Sequence, residues 1–255
     1  MTILIAGSGL VGKALLDSLI VSSEEKCYLI SLRDSSIDEI CKIITTLNAD
    51  DCFIDSMDPN AISNDICKNH IKKISMIRNF ALHYSNKFHY VYLSTASIYP
   101  QLKEFIYESI DPLNEFSNEY LTMKIKNELL VKSLSKSTYT IARLVSIWVD
   151  ENQNSFFGDL IKAHKENQII NFRDGDEKVI SYANLNDICK LLNTIILKRV
   201  KGIVNVTTDQ YNSRANLKAI VNKLETISIK NLPGLRIKSS ILRWEDTIDK
   251  RSELF

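Results

Sequence analysis

Residues 1–16 read MTILIAGSGLVGKALL: a short apolar run, glycines at Gly7, Gly9 and Gly12, and then residues suited to an opening helix. Strand, glycine turn, helix is the order of a phosphate cradle. Gly7 permits the tight turn, Gly9 omits a side chain that would hold a pyrophosphate at a distance, and Gly12 lets the helix lie close to the strand. The chain has only seven glycines in 255 residues, so three within six positions mark this turn as a place where backbone must come close to something.

The same letters admit a second reading. Gly7 to Lys13 also satisfies Gly-x-x-x-x-Gly-Lys, the core of a nucleoside-triphosphate loop, and DCFID at 51–55 could pass for a strand ending in a metal-binding carboxylate, Asp55. Position 14 is alanine, however, so the hydroxyl that such loops place on Mg²⁺ is missing. The segment favours a dinucleotide over a triphosphate. On that reading Gly7, Ser8, Gly9, Leu10, Val11 and Gly12 line the cofactor, with Asp55 on the same side.

Length and composition narrow the function classes. A chain of 255 residues buries one substantial core, as a single domain or as a nucleotide-binding domain with a smaller lobe. Lys plus Arg number 32 against 31 Asp plus Glu, a formal charge of +1, which gives no electrostatic case for nucleic acid or an anionic membrane. A small molecule is the expected partner. The sequence enters an apolar strand within two residues of Met1, leaving no room for a targeting segment, and no stretch is long and apolar enough to span a bilayer. Five cysteines (27, 41, 52, 67 and 189) lack metal or redox spacing, as do four histidines (70, 83, 89 and 164), so the expected setting is the cytoplasm, without a metal.

Through the first 150 residues, near-continuous apolar runs (TILIA, CYLISL at 27–32, CFID at 52–55, FHYVYLS at 88–94, YTIARLVSI at 139–147) alternate with helix-like stretches. This pattern predicts a parallel sheet covered on both faces: an α/β, doubly wound Rossmann fold. From about Asp150 the texture turns polar and mixed, which predicts a dinucleotide-binding domain over 1–150 and a small C-terminal substrate-binding lobe over 151–255. KVISY at 178–182 and GIVNVT at 202–207 read as strands, the region 179–207 returning to the main sheet. RDGDEK at 173–178 reads as a hairpin turn, and Ser213 as the N-cap of a following helix.

The chemistry lies beyond the glycines, in LSTASIYP at 93–100 and SNEYLTMKIKNELL at 117–130. Tyr120 and Lys124, four apart on a helix, share one face. A phenol with a resting pKa near about 10 exchanges protons poorly at neutral pH, and a neighbouring ammonium favours its phenolate. Thr95, at the end of a central strand, can hold a carbonyl oxygen while Tyr120 transfers a proton, with Ser94 and Ser97 as weaker alternatives. Each feature alone recurs by chance; glycine turn, hydroxyl at a strand end and Tyr-x-x-x-Lys in this order carry the inference together.

On these residues the chain resembles the extended short-chain dehydrogenases/reductases, the group of nucleotide-sugar epimerases, dehydratases and dTDP-4-dehydrorhamnose reductase-like enzymes, over nearly its whole length. AGSGLVGKAL is similar to the family's glycine turn, LSTASIY to its hydroxyl-bearing strand, YESIDPLNEFSNEYLTMKIKNELL to its Tyr/Lys helix and the stretch before it, and IARLVSIW, ISYANLNDICKLL and GIVNVT to its later elements. The resemblance implies Thr95, Tyr120 and Lys124 as catalytic residues, Lys124 contacting the nicotinamide ribose and lowering the tyrosine's pKa, and Val145 near the nicotinamide. It places Asn154, Ser155, Phe156, Arg173 and Asp187, with Ser97, along the substrate pocket. It also implies a homodimer through helices near 71–85 and 118–134, where Ile71, Ile74, Ile77 and Leu82 could form the buried face. Leu121 in place of a small residue, Pro100 in place of glycine and an end at Phe255 depart from the pattern.

Cofactor choice turns on SLRDSS at 31–36. Arg33, with Ser31 and Ser36, suits the 2′-phosphate of NADP, whereas Asp34 keeps NAD open. The expected activity is reduction of a keto group on a nucleotide-linked sugar. An epimerase or dehydratase with tightly held NAD, and a cofactor-binding protein without turnover, are the alternatives.

Overall fold

Six strands line up in parallel in the order β2-β1-β3-β4-β6-β9. They are β1 (Thr2–Ala6), β2 (Lys26–Ile30), β3 (Cys52–Asp55), β4 (His89–Thr95), β6 (Tyr139–Leu144) and β9 (Gly202–Val206). The computed structural model describes residues 1–59, 65–113, 118–134, 138–149, 162, 166, 179–213, 215–217 and 236–239. Helices accompany the strands: α1 (Leu10–Ser22), α2 (Ile37–Thr45), α3 (Asp65–His83), α4 (Glu119–Leu134) and α5 (Leu185–Leu197).

The apolar runs are strands because both of their faces are covered. Along β1, Ile3 and Ile5 join one core with Leu15, Leu19, Ile188 and Leu192 of α1 and α5, while Leu4 and Ala6 join another with Ile40, Ile44, Ile74 and Ile77 of α2 and α3. Side chains alternate across a strand, so a run with no polar interruption requires a helix layer on each side. This is the doubly wound α/β architecture.

Small ribbons flank the main sheet. β8 (Val179–Asn184) runs between β7 (Ser146–Trp148) and antiparallel β10 (Tyr211–Ser213), and β5 (Phe105–Ile106) pairs with β11 (Arg236–Ile237). The single run expected at 139–147 is two strands: Val145 makes the last bond to β9, donating to the Val206 carbonyl at 3.3 Å, and Ser146–Trp148 then pairs with β8. Ser213 does accept from the Asn216 amide at 3.0 Å, the bond an N-cap makes. The turn expected at 173–178 lies outside the described residues.

The order in which strands are added reverses between β1 and β3: β2 lies on one side of β1 and the later strands of this sheet on the other. In open parallel sheets, ligands bind beyond the carboxyl ends of the strands at such a switch point. The glycine turn follows β1 there, and Thr95 ends β4 two strands away.

Candidate functional site

Two of the three glycines are required by the backbone around them. Gly7 has φ +115°, and a Cβ on it would stand 2.4 Å from the Ser56 carbonyl oxygen; a Cβ on Gly12 would stand 2.0 Å from the Gly7 carbonyl oxygen. These are the tight turn and the close helix packing. Gly9 differs, because a Cβ there would meet nothing within 4 Å. Gly9 is also the N-cap of α1, where no side chain caps the helix. Ser8, Gly9 and Leu10 are accessible, Leu10 at 44%, whereas Val11 packs partly against the core. An uncapped helix N-terminus with open space beside it fits a pyrophosphate.

The triphosphate alternative loses its loop. α1 begins at Leu10, so Gly12 and Lys13 already lie inside the helix, with the Lys13 amide bonded to the Gly9 carbonyl at 3.0 Å. The stretch from Gly7 to Lys13 therefore does not wrap a triphosphate.

Asp55 requires a correction. Its carboxylate is fully buried and is held by Arg78 Nε at 2.5 Å and Nη2 at 3.0 Å, by the Tyr90 hydroxyl at 2.7 Å and by the Met57 amide at 3.2 Å. It is a core counter-ion and presents no surface to a cofactor. Ser36 is likewise engaged: it caps α2 in a reciprocal capping box, accepting from the Glu39 amide while Glu39 accepts from the Ser36 amide. Arg33 is exposed in the turn after β2. Lys73 reaches from α3 to the Leu32 and Ser35 carbonyls of the same turn, at 2.5 Å each, and His70 lies close enough that Arg33 and Lys73 add to burial in lowering its pKa. The turn is thus bordered by positive charge.

Thr95, at the carboxyl end of β4, accepts from the Ser97 amide at 3.2 Å and caps a short turn over Ala96–Ile98. Tyr120 and Lys124 lie in the first turns of α4, whose start is set by Asn118 accepting from the Tyr120 amide at 2.8 Å. The Lys124 ammonium sits 5.6 Å from the Tyr120 ring centre. It is 6% exposed, donates to the Leu93 carbonyl at 2.8 Å and pairs with Asp58 at 3.1 Å. Lys124 therefore ties the helix to β4 and to the loop after β3.

Asp58 was not singled out by any local spacing, yet it gathers Arg78 at 2.7 Å, the Tyr92 hydroxyl and Asn127 as well as Lys124. Burial pushes its carboxyl up, but the Lys124 and Arg78 charges outweigh this and hold it well below the usual carboxylate range. A second buried network joins β4, α4 and β6. Arg143 pairs with Glu128 through Nε at 3.0 Å and Nη2 at 2.7 Å, Ser94 donates to Glu128 at 2.6 Å, and Arg143 Nη1 donates to the Tyr99 hydroxyl at 2.7 Å. Tyr99 donates in turn to Asn205 at 2.9 Å, and Asn205 donates to the Lys238 carbonyl at 2.8 Å. Ser94 is thereby engaged in the core, which leaves Thr95 and Ser97 as the hydroxyls at the strand end.

Val145 stands at the end of β6, 5% exposed. Asp187 is in the first turn of α5, 3.6 Å from Lys190. Asn154, Ser155, Phe156 and Arg173 lie outside the described residues. Ile74, Ile77 and Leu82, expected at a subunit interface, are packed onto the chain's own sheet instead. Among the described residues, Met76 of α3 and Leu129 of α4 are half-exposed apolar side chains, at 50% and 58%. Among the described residues, no helix is long and apolar enough to cross a membrane.

No family model matches the chain, and no curated protein matches it. Solved structures share its fold. A dTDP-4-dehydrorhamnose reductase from Clostridium acetobutylicum superposes with a TM-score of 0.70 at 17% identity, over 100% of this chain and 99% of that one. A UDP-glucuronic acid 4-epimerase from Bacillus cereus in complex with NAD superposes at 0.73 with 14% identity, over 97% and 90%. A dTDP-4-dehydrorhamnose reductase from Bacillus anthracis in complex with NADP superposes at 0.67 with 17% identity, over 96% and 85%.

Proposed function

We propose that this chain is an NAD(P)-dependent oxidoreductase that reduces a keto group on a nucleotide-linked sugar. The observation that carries the reading is the placement of two features on one sheet edge. The glycine turn follows β1 and the Thr95/Tyr120/Lys124 group stands at β4, with β3 alone between them. At about 5 Å per strand spacing, that separation is roughly 10 Å, a span an extended dinucleotide covers. Reductases and epimerases that act on nucleotide-linked sugars share this fold, which supports the substrate class.

The open space at Gly9 and the uncapped amides of α1 fit the pyrophosphate, so Gly7 to Gly12 would hold NAD(P), with Val145 beside the nicotinamide. Arg33, and the Lys73 ammonium that reaches the carbonyls of its turn, favour NADP. When bound, the nicotinamide supplies a hydride. Thr95 orients the substrate oxygen, Tyr120 gives it a proton, and Lys124 keeps one of its three N–H donors for ribose after Leu93 and Asp58 take the others. Asn154, Ser155, Phe156 and Arg173 would contact the sugar together with Ser97 and Asp187. A cytoplasmic homodimer, with Met76 and Leu129 at its interface, is the expected setting.

Thermal melts with NAD, NADP and free nucleotides test the binding step, since a ligand at about 100 times its Kd adds roughly 2.7 kcal/mol to stability. NADPH oxidation with a panel of nucleotide-linked keto sugars then tests turnover. Binding of NADP and oxidation with a keto sugar support the reading. Protein that purifies with bound NAD and forms product without added cofactor is instead an epimerase or dehydratase, and tight NADP binding without turnover on any keto sugar makes it a binding protein.

A further inference from the structure

We propose that the buried Glu128–Arg143 pair is the positioning element of this site, a clamp that sets the helix carrying Tyr120 and Lys124 against the turn carrying Thr95 and Ser97. The inference rests on the function proposed above and deepens it, because it names what holds the reacting groups in register. Tyr120, Lys124 and Glu128 follow at intervals of four along α4 and so share one face of it. Lys124 donates to the Leu93 carbonyl at 2.8 Å, and Ser94, the next residue of β4, donates to Glu128 Oε1 at 2.6 Å. Successive turns of the helix are thus bonded to successive residues of the strand, immediately before Thr95.

Arg143 completes the clamp from β6. Its guanidinium grips both Glu128 oxygens, through Nε at 3.0 Å and Nη2 at 2.7 Å, and its Nη1 donates to the Tyr99 hydroxyl at 2.7 Å. The segment from Ser94 to Tyr99 is therefore tied at both ends to one ion pair, Ser94 to the carboxylate and Tyr99 to the guanidinium. Between those ties lie Thr95 and Ser97, the hydroxyls left at the strand end. Inside the segment, the Ser97 amide donates to Thr95 Oγ1 and the Tyr99 amide to the Ala96 carbonyl, at 3.2 Å each.

Stability alone does not call for such a pair. The Arg143 and Glu128 side chains are 0% and 2% exposed, and apolar side chains of similar volume fill such a space at no greater cost, because no charge has to leave water. What the pair adds is direction: a bidentate fork fixes the distance and angle between α4 and β6, whereas an apolar contact tolerates small slips. Proton transfer needs Tyr120 and Thr95 to reach the same substrate oxygen, and a misplacement of about 1 Å costs on the order of 100-fold in rate.

The test removes the clamp without stranding a charge. Amide hydrogen exchange is followed in the wild type, in the double variant Glu128→Leu/Arg143→Met, in Ser94→Ala and in Ser94→Thr, beside melting temperature and NADPH Kd. In the double variant the Ser97 and Tyr99 amides exchange at least about tenfold faster, while the β1 amides and the NADPH Kd stay as in the wild type. Ser94→Ala shows a smaller change at the same amides, and Ser94→Thr, which keeps the hydroxyl, exchanges as the wild type does. With a nucleotide-linked keto sugar that the wild type turns over, the double variant loses about 100-fold in kcat at an unchanged KM for NADPH. Unchanged exchange at Ser97 and Tyr99 overturns the proposal, and so does faster exchange with unaltered kcat. Faster exchange spread evenly over β1 and the turn, the mark of a merely structural pair, overturns it as well. Should the double variant not fold, Ser94→Ala against Ser94→Thr decides on the same readouts. A wild type that binds no NADPH and reduces no keto sugar defeats the proposed function, while exchange still decides the clamp.

Discussion

Replacing Gly9 by alanine separates the backbone's need for glycine from a ligand's need for it. Gly9 has φ −72° and ψ −174°, which alanine adopts without strain, and the new methyl would meet nothing within 4 Å. Reduced freedom of the unfolded chain adds about 0.4–1 kcal/mol, and alanine caps a helix less well than glycine by about 0.5–1 kcal/mol. The two nearly cancel, so the melting temperature moves by less than about 2 °C. The same methyl would project beside the free amides of α1, where the pyrophosphate needs direct access. Losing one charge-assisted hydrogen bond costs about 1.5–3 kcal/mol, a roughly 10- to 100-fold weaker Kd. Gly12→Ala is the contrast: its Cβ would lie 2.0 Å from the Gly7 carbonyl oxygen and 2.9 Å from Ser56 Oγ, which forces α1 off β1 and destabilises the fold by about 2–3 kcal/mol. Melts and calorimetric titration with NADPH on both variants give the answer. A Gly9→Ala protein that binds NADPH as tightly as the wild type refutes the cradle.

Three further outcomes are expected. Tyr99→Phe leaves Arg143 Nη1 and the Asn205 side-chain oxygen without the hydroxyl that joins them; at roughly 1–3 kcal/mol for each buried group the cost is about 3 kcal/mol, or about 6–12 °C in melting temperature, and a drop under 2 °C in a calorimetric scan contradicts the network. His89 is fully buried between Thr138 and Thr140, and burial lowers its pKa from 6.5 to about 4. The unfolded chain therefore binds the proton first: stability is complete above pH 6.5 and falls by about 3 kcal/mol towards pH 4, a slope in denaturant titrations that His89→Gln should flatten. Arg33→Ser should weaken NADP about tenfold and leave NAD unchanged; an unaltered ratio of the two affinities removes Arg33 from cofactor choice.

The fold is legible because its information is local. The runs at 2–6, 52–55 and 89–95 are near-continuous apolar stretches whose residues are buried on both faces, and only a sheet covered by helices on both sides accommodates that. The glycine turn and the Tyr120/Lys124 spacing are legible for the same reason, each lying within one turn or one helix. Ser36 shows a local signal that competes with another: Ser36-Ile-Asp-Glu39 is a capping-box pattern, and the structure uses it that way rather than for phosphate. Asp58 and the Glu128–Arg143–Tyr99–Asn205 network are not legible. Asp58 meets Arg78 20 positions on and Asn127 69 positions on, and Tyr99 meets Asn205 across 106 positions, pairings that exist only once the strands are in register. Asp55 fails as a cofactor residue for the same reason, since Arg78 takes it first.

Turnover by Tyr120→Phe is the most direct test. With a nucleotide-linked keto sugar that supports NADPH oxidation by the wild type, Tyr120→Phe should bind NADPH with unchanged Kd and turn over at least about 100-fold more slowly. Full turnover by Tyr120→Phe on the same sugar would contradict the assignment of Tyr120 as the proton donor.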